Sequence, residues 1–173
     1  WEYFMAAGIY NPTHKLVSVF HPLNNNALDD LFRRLRKIPN TEAIPRDESL
    51  RYFLKNRGGK GAERFLTMGL IADQNPYRHK DSHWFRFLNQ DTIFAEGGEQ
   101  LALKLHLPVW YIGLKYRRRG EYDIFVELLY DGKEEVAEFE ITERYIRVLE
   151  REICAAPHLW LWSHRRWKHK KEE

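Results

Sequence analysis

Sulfhydryl chemistry is almost missing from this sequence, which holds one cysteine, Cys154. That excludes a disulfide within the chain and a zinc site built on cysteines, and it suggests a reducing compartment. Long hydrophobic runs are missing too. The longest, residues 107–114, is far short of the roughly 20 residues of a membrane-spanning helix. Neither sign of charge dominates: 28 Lys and Arg against 25 Asp and Glu leave a net charge of +3. So small an excess does not point to nucleic acid by itself. There is no Gly-x-Ser-x-Gly elbow, and Ser163 beside His164 is not a geometry in which the imidazole can deprotonate the hydroxyl. The loop Arg57-Gly58-Gly59-Lys60-Gly61 lacks the Ser or Thr that must follow the lysine of a phosphate-binding P-loop, so it reads as a plain turn. No internal repeat or low-complexity linker divides the chain.

What remains is ample for a folded core. Hydrophobic residues make up 43% of the 173 and aromatics 14%, which argues against disorder. The simplest organisation is one domain, 1–173, with 169–173 a disordered tail. Basic residues cluster at 33–37, 117–119 and 164–171. Such clusters can meet phosphates, lipid head groups or only water.

The hydrophobic pattern predicts alternating strands and helices. Residues 16–20 read as a buried strand, and Leu28, Leu31, Phe32 and Leu35 as a helical stripe. Residues 41–45 read as a connection. Asp47 is the expected cap of a helix that buries Leu50, Phe53 and Leu54. Residues 65–72 are a continuous apolar run, expected to be buried on both faces. They end in Asp73-Gln74, where open α/β sheets place ligands. Residues 77–92 show no period and read as a long functional loop. His79 and His83 within it have metal-ligand spacing but no third ligand. A helix follows Glu96, strands cover 108–114 and 122–129, and the alternation of Ala137, Phe139 and Ile141 with glutamates predicts a half-exposed fourth strand. Thr142 is expected to cap a last helix burying Ile146, Leu149, Ile153 and Cys154 and ending at Pro157. The fold class is α/β, with a mixed, mostly parallel sheet flanked by helices.

The chemistry-bearing stretch is the last. Trp160-Leu161-Trp162-Ser163-His164-Arg165-Arg166-Trp167-Lys168 packs three of six tryptophans between cations. Termini usually fray, so bulky aromatics here imply a segment tied down on the body. This stretch resembles the closing motif of the lipid A late acyltransferases, the lauroyl and myristoyl transferases of the lysophospholipid acyltransferase superfamily. Leu70-Ile71-Ala72-Asp73-Gln74 is similar to that family's strand ending in Asp-Gln. Phe85-Arg86-Phe87-Leu88 and Gly97-Gly98-Glu99-Gln100-Leu101-Ala102 resemble its Phe-Phe-Gly and Gly-Pro segments, each altered. Arg36 and Arg51 resemble two of its arginines. The similarity runs along the chain in order.

The resemblance implies a glycerolipid-acyltransferase-like fold. It also implies transfer of a fatty acyl chain from acyl carrier protein to a hydroxyl of a lipid A precursor, on the cytoplasmic face of a Gram-negative inner membrane. No cofactor and no metal are implied. The family's catalytic motif is His-x-x-x-x-Asp/Glu, and Trp1-Glu2 resembles its last two residues. None of the eight histidines has an acid five positions on. The sequence is therefore expected to be the C-terminal part of such an enzyme, inactive alone, its membrane-anchoring part upstream. Glu2 would orient the histidine base, and Arg36 would serve the oxyanion or an acceptor phosphate. Arg51, Asp73, Glu99, Arg165 and Lys168 would contact substrate.

Two other readings stand beside this one. A basic, aromatic end could bind single-stranded nucleic acid, with steep salt dependence. An inert structural fragment would instead dimerise through uncovered apolar surface.

Overall fold

The computed structural model describes residues 13–20, 22, 24–35, 39–56, 65–76, 79 and 81–171. The chain divides into two compact units, residues 1–71 and 72–173. The architecture is α/β: one parallel sheet and two antiparallel pairs accompany four α-helices among the described residues.

The first unit is built on β1 (His14–Phe20), α1 (Asn26–Leu35), β2 (Thr41–Pro45), α2 (Arg46–Asn56) and β3 (Phe65–Gly69). The three strands are parallel, in the order β2-β1-β3. The central strand carries the fully buried Val17, and Leu16, Ile44 of β2 and Phe53 of α2 are buried too. Residues 41–45 are thus a strand, not a connection. Their polar Thr41-Glu42 start and terminal Pro45 hide it, and both fit an edge strand, which is solvated and can spare an N–H. Lys15 of β1, Glu42 of β2 and Tyr52 of α2 form one cluster that staples these elements. Burial raises the Glu42 carboxyl, but its bonds to Lys15 and Tyr52 outweigh this and hold it below its ordinary value.

The α1 stripe has the predicted period, yet Leu28, Leu31, Phe32 and Leu35 are all exposed. Leu50 and Leu54 of α2 are also exposed, so Phe53 alone fills that helix's buried face. Strand β3 is partly exposed rather than buried on both faces. The loop at 57–61 lies outside the described residues.

The second unit contains β4 (Trp84–Phe87), β5 (Gln90–Ile93), α3 (Gly97–Leu105), β6 (Val109–Arg118), β7 (Glu121–Tyr130), α4 (Glu140–Ala155) and a 3-10 turn (Pro157–Leu159). Much of the expected functional loop is the hairpin β4–β5. Its two-residue turn, Leu88-Asn89, has both φ angles positive, as a tight hairpin requires. The usual Asn-Gly signature is absent, so the sequence does not announce it. The buried Phe85, Phe87 and Ile93 face inward from this pair. With Phe94, Ile146, Leu149 and Ile153 the two phenylalanines make one core cluster. Ala102, Leu129, Tyr130, Ile141 and Val148 make another.

The predicted fourth strand at 137–141 does not form. Phe139 takes φ 63, and helical bonding begins at once with the Glu143 N–H donating to the Phe139 carbonyl. The Glu140 carboxylate reaches back to the Ala137 N–H. Ile141, Tyr145 and Val148 show why the alternation misled: the same apolar residues also start an α-helical stripe. Cys154, expected in the core, is exposed on α4.

One turn is unusually intolerant. Gly132 has φ +86, and a Cβ there would lie 2.8 Å from the His106 carbonyl oxygen. Gly132→Ala therefore destabilises the second unit by about 1–3 kcal/mol. A lowered denaturant midpoint with unchanged slope would register it.

Candidate active site on the second unit

Within 157–168 the chain folds into successive tight turns. The N–H of Trp162, His164 and Arg166 donate to the carbonyls of Trp160, Leu161 and His164. This winding turns some residues outward and their neighbours inward. Arg165 and Lys168 are exposed, whereas Arg166 is 2% exposed and Trp167 half-buried. The Trp167 indole N–H donates to the Thr92 hydroxyl at 2.9 Å. Trp160 and Trp167 both pack on Phe87. The segment is tied down, as its aromatics predicted.

Arg166 is the centre of the arrangement. Its guanidinium lies 4.3 Å from the ring centre of Phe94 and 5.9 Å from that of Phe87. One amino group donates to the Asn75 side-chain oxygen at 3.1 Å, the other to the Ile93 carbonyl at 2.7 Å. Nε is buried and has no hydrogen-bond partner among the described residues. Burial pulls this guanidinium down to about 10, opposed by the nearby Tyr145 and Asp73. At neutral pH it is still a cation.

Asn75 is gripped three times by the same stretch. Besides accepting from Arg166, it donates its backbone N–H to His164 Nε2 at 3.0 Å and its amide to the Arg165 carbonyl. His164 can accept that bond only when Nε2 carries no proton. Asp73, two residues earlier, is half-buried. No hydrogen bond to its carboxylate is present among the described residues, but its charge is felt all around. Burial first, then Glu152 and Asp73, push the Tyr111 phenol up to about 12. Burial and then Asp73 likewise raise Tyr145. Asp73 is thus the carboxylate that the Tyr111 and Tyr145 phenols and the Arg166 guanidinium sense in common.

The other expected site residues lie elsewhere. Glu99 is buried in α3, where one oxygen receives both the N–H and the hydroxyl of Thr142. Thr142 is thus inside the first turn of α4, not its cap. The second oxygen, Oε1, has no hydrogen-bond partner among the described residues. Arg51 is exposed on α2 of the first unit. Glu2 and Arg36 lie outside the described residues. His83 stacks on Phe139 at 4.2 Å between ring centres. Among the described residues no cluster of three His, Cys, Asp or Glu could hold a metal ion. No described helix is long and apolar enough to cross a membrane.

The buried Arg166 cation is joined through Asn75 to the turn that carries Asp73, and its neighbours Arg165 and Lys168 are exposed. The family model for bacterial lipid A biosynthesis acyltransferases matches residues 4–169. The chain belongs to that family. No individual curated protein matches it. In this acyltransferase Asp73 lies two positions before Asn75, whose amide donates to the backbone carbonyl of Arg165, while the Arg165 side chain is exposed. The sequence reading missed Asn75, His164 and Arg166.

Proposed function

We propose that this acyltransferase moves a fatty acyl chain from the thioester of acyl carrier protein to a hydroxyl of a phosphorylated glycolipid, at the cytoplasmic face of the inner membrane. The family match over nearly the whole chain carries the reading. The chemistry follows from the reactants. A histidine base takes the hydroxyl proton as the oxygen attacks the thioester carbonyl. The tetrahedral oxyanion collapses to the ester, and the departing thiolate recovers the proton from the imidazolium. Glu2 orients the imidazole and stabilises its charged form. Arg36 stabilises the oxyanion or an acceptor phosphate. Arg165 and Lys168 of the second unit grip phosphates by charge-assisted hydrogen bonds, and Arg51 of the first unit is exposed for the same chemistry. Asp73 meets the acceptor's donors. Glu99 contributes by holding the start of α4 through Thr142. No cofactor enters these steps.

The test is direct. Full-length protein is mixed with acyl carrier protein thioester and a lipid A precursor, and the new ester is found by mass spectrometry. No ester, together with tight binding to nucleic acid that falls steeply with salt, would overturn the reading. Within it, Arg165→Glu with Lys168→Glu raises KM for the phosphorylated acceptor by about 10–100-fold. Both side chains are exposed, so the melting temperature should hardly move. KM for the thioester donor should stay the same.

A further inference from the structure

The charge on Arg166 is unexplained by packing. A guanidinium 2% exposed between Phe87 and Phe94 has lost most of its hydration. An apolar side chain of similar volume fills such a slot as well or better for stability alone. Nature of the partners sharpens the point. Arg166 spends one bond on a strand-end carbonyl, Ile93, and one on Asn75. Asn75 donates two further bonds, to His164 Nε2 and to the Arg165 carbonyl. Three consecutive residues of the C-terminal segment thus converge on one residue of the 73–76 turn. Asp73, on the same turn, is the carboxylate whose field reaches Arg166. That carboxylate has no hydrogen bond of its own among the described residues, so its acceptor capacity is open.

We propose that Arg166 is a positioning residue: acting through Asn75, it clasps the 73–76 turn so that Asp73 presents its carboxylate to hydroxyl or amide N–H donors of the glycolipid acceptor. This rests on the acyl-transfer reading. Arg166 itself does not touch substrate. Lysine in its place keeps the charge but loses the rigid planar fork that holds Asn75 and Ile93 at a fixed spacing. Asparagine at 73 keeps the shape and loses the strongest acceptor.

The experiment compares wild type, Arg166→Lys, Asp73→Asn and their double variant, with Asn75→Ala as a second route to the same clasp. Two readouts are taken on the full-length protein. One is KM for acceptor and for thioester donor. The other is direct calorimetric binding of a phosphorylated lipid A precursor, which needs no turnover. Arg166→Lys and Asn75→Ala should each weaken acceptor binding and raise acceptor KM about tenfold, leaving donor KM unchanged. The double variant should bind no worse than Asp73→Asn, because both act on one contact. Equal loss for donor and acceptor would mark a merely structural role and overturn the proposal. So would unchanged acceptor binding, multiplying effects in the double variant, or a wild type that does not bind the glycolipid. Wild type that binds it but makes no ester sinks the acyl-transfer reading alone, and the binding series still decides on the clasp.

Discussion

Glu2→Ala in the full-length acyltransferase should lower kcat by about 10²–10⁴-fold, the range seen when a base loses its orienting acid. That corresponds to about 3–5 kcal/mol of transition-state stabilisation. An alcohol is a poor nucleophile, so the rate depends on how much imidazole stands in the correct tautomer when the thioester is bound. The carboxylate at position 2 would select that tautomer and stabilise the imidazolium that forms. Neither function binds a ground-state substrate, so KM for donor and acceptor should change little. Glu2→Gln should not rescue, because an amide can stabilise the wrong tautomer as readily as the right one. Glu2→Asp should recover part of the rate. Steady-state kinetics with both substrates, with circular dichroism as a folding control, measures this. Turnover within a few-fold of wild type would remove Glu2 from the mechanism.

Phe87→Ala carries the largest expected effect on stability. Phe87 is 0% exposed. Its ring lies 5.2 Å from that of Phe94, 6.4 Å from Trp160 and 6.2 Å from Trp167. Deleting a buried phenylalanine costs about 3–5 kcal/mol in lost transfer energy and residual cavity. The hole here would open beneath the C-terminal segment, where two tryptophans and the Arg166 guanidinium lose a common neighbour. The loss should therefore fall at the upper end of that range. Small domains have only about 5–15 kcal/mol in hand. The second unit should melt at least ten degrees lower, since about 1 kcal/mol shifts a unit of this size by 4–8 °C. Tryptophan fluorescence during thermal unfolding reads this out. Phe87→Leu should retain more than half of the stability that alanine loses.

Some of this was legible in the residues alone. Strand β1 and the antiparallel partner β7 show as apolar runs, and the buried stripe of Ile146, Leu149 and Ile153 shows at helical spacing. Periodicity reports burial, so it finds elements whose side chains meet a core. It misses elements held mainly by backbone or by special dihedrals. Strand β2 is polar and ends in proline because it is an edge. The β4–β5 turn uses Leu88 at φ 47, a residue no turn rule would choose. The α1 stripe shows the converse: an apolar period need not be buried. In the site the sequence could place a cation at the closing motif but could not separate Arg165 from its neighbour. Identity is the same and the chain's winding decides, and winding through tight turns leaves no simple period. Glu99 illustrates a related limit. A glutamate near a helix start reads as surface, yet here its carboxylate lies buried between the first turns of α3 and α4.

The solitary, exposed Cys154 sits in the last turn of α4, three residues before Pro157 opens the C-terminal segment. A thiol-reactive dye therefore attaches at one place without any engineering. Tryptophan quenches many such dyes on contact, and Trp160 and Trp162 stand only six and eight residues further on. The natural sequence thus carries its own optical gauge: emission from a label on Cys154 should respond when the closing segment lifts away from Phe87, and stay constant while it remains seated.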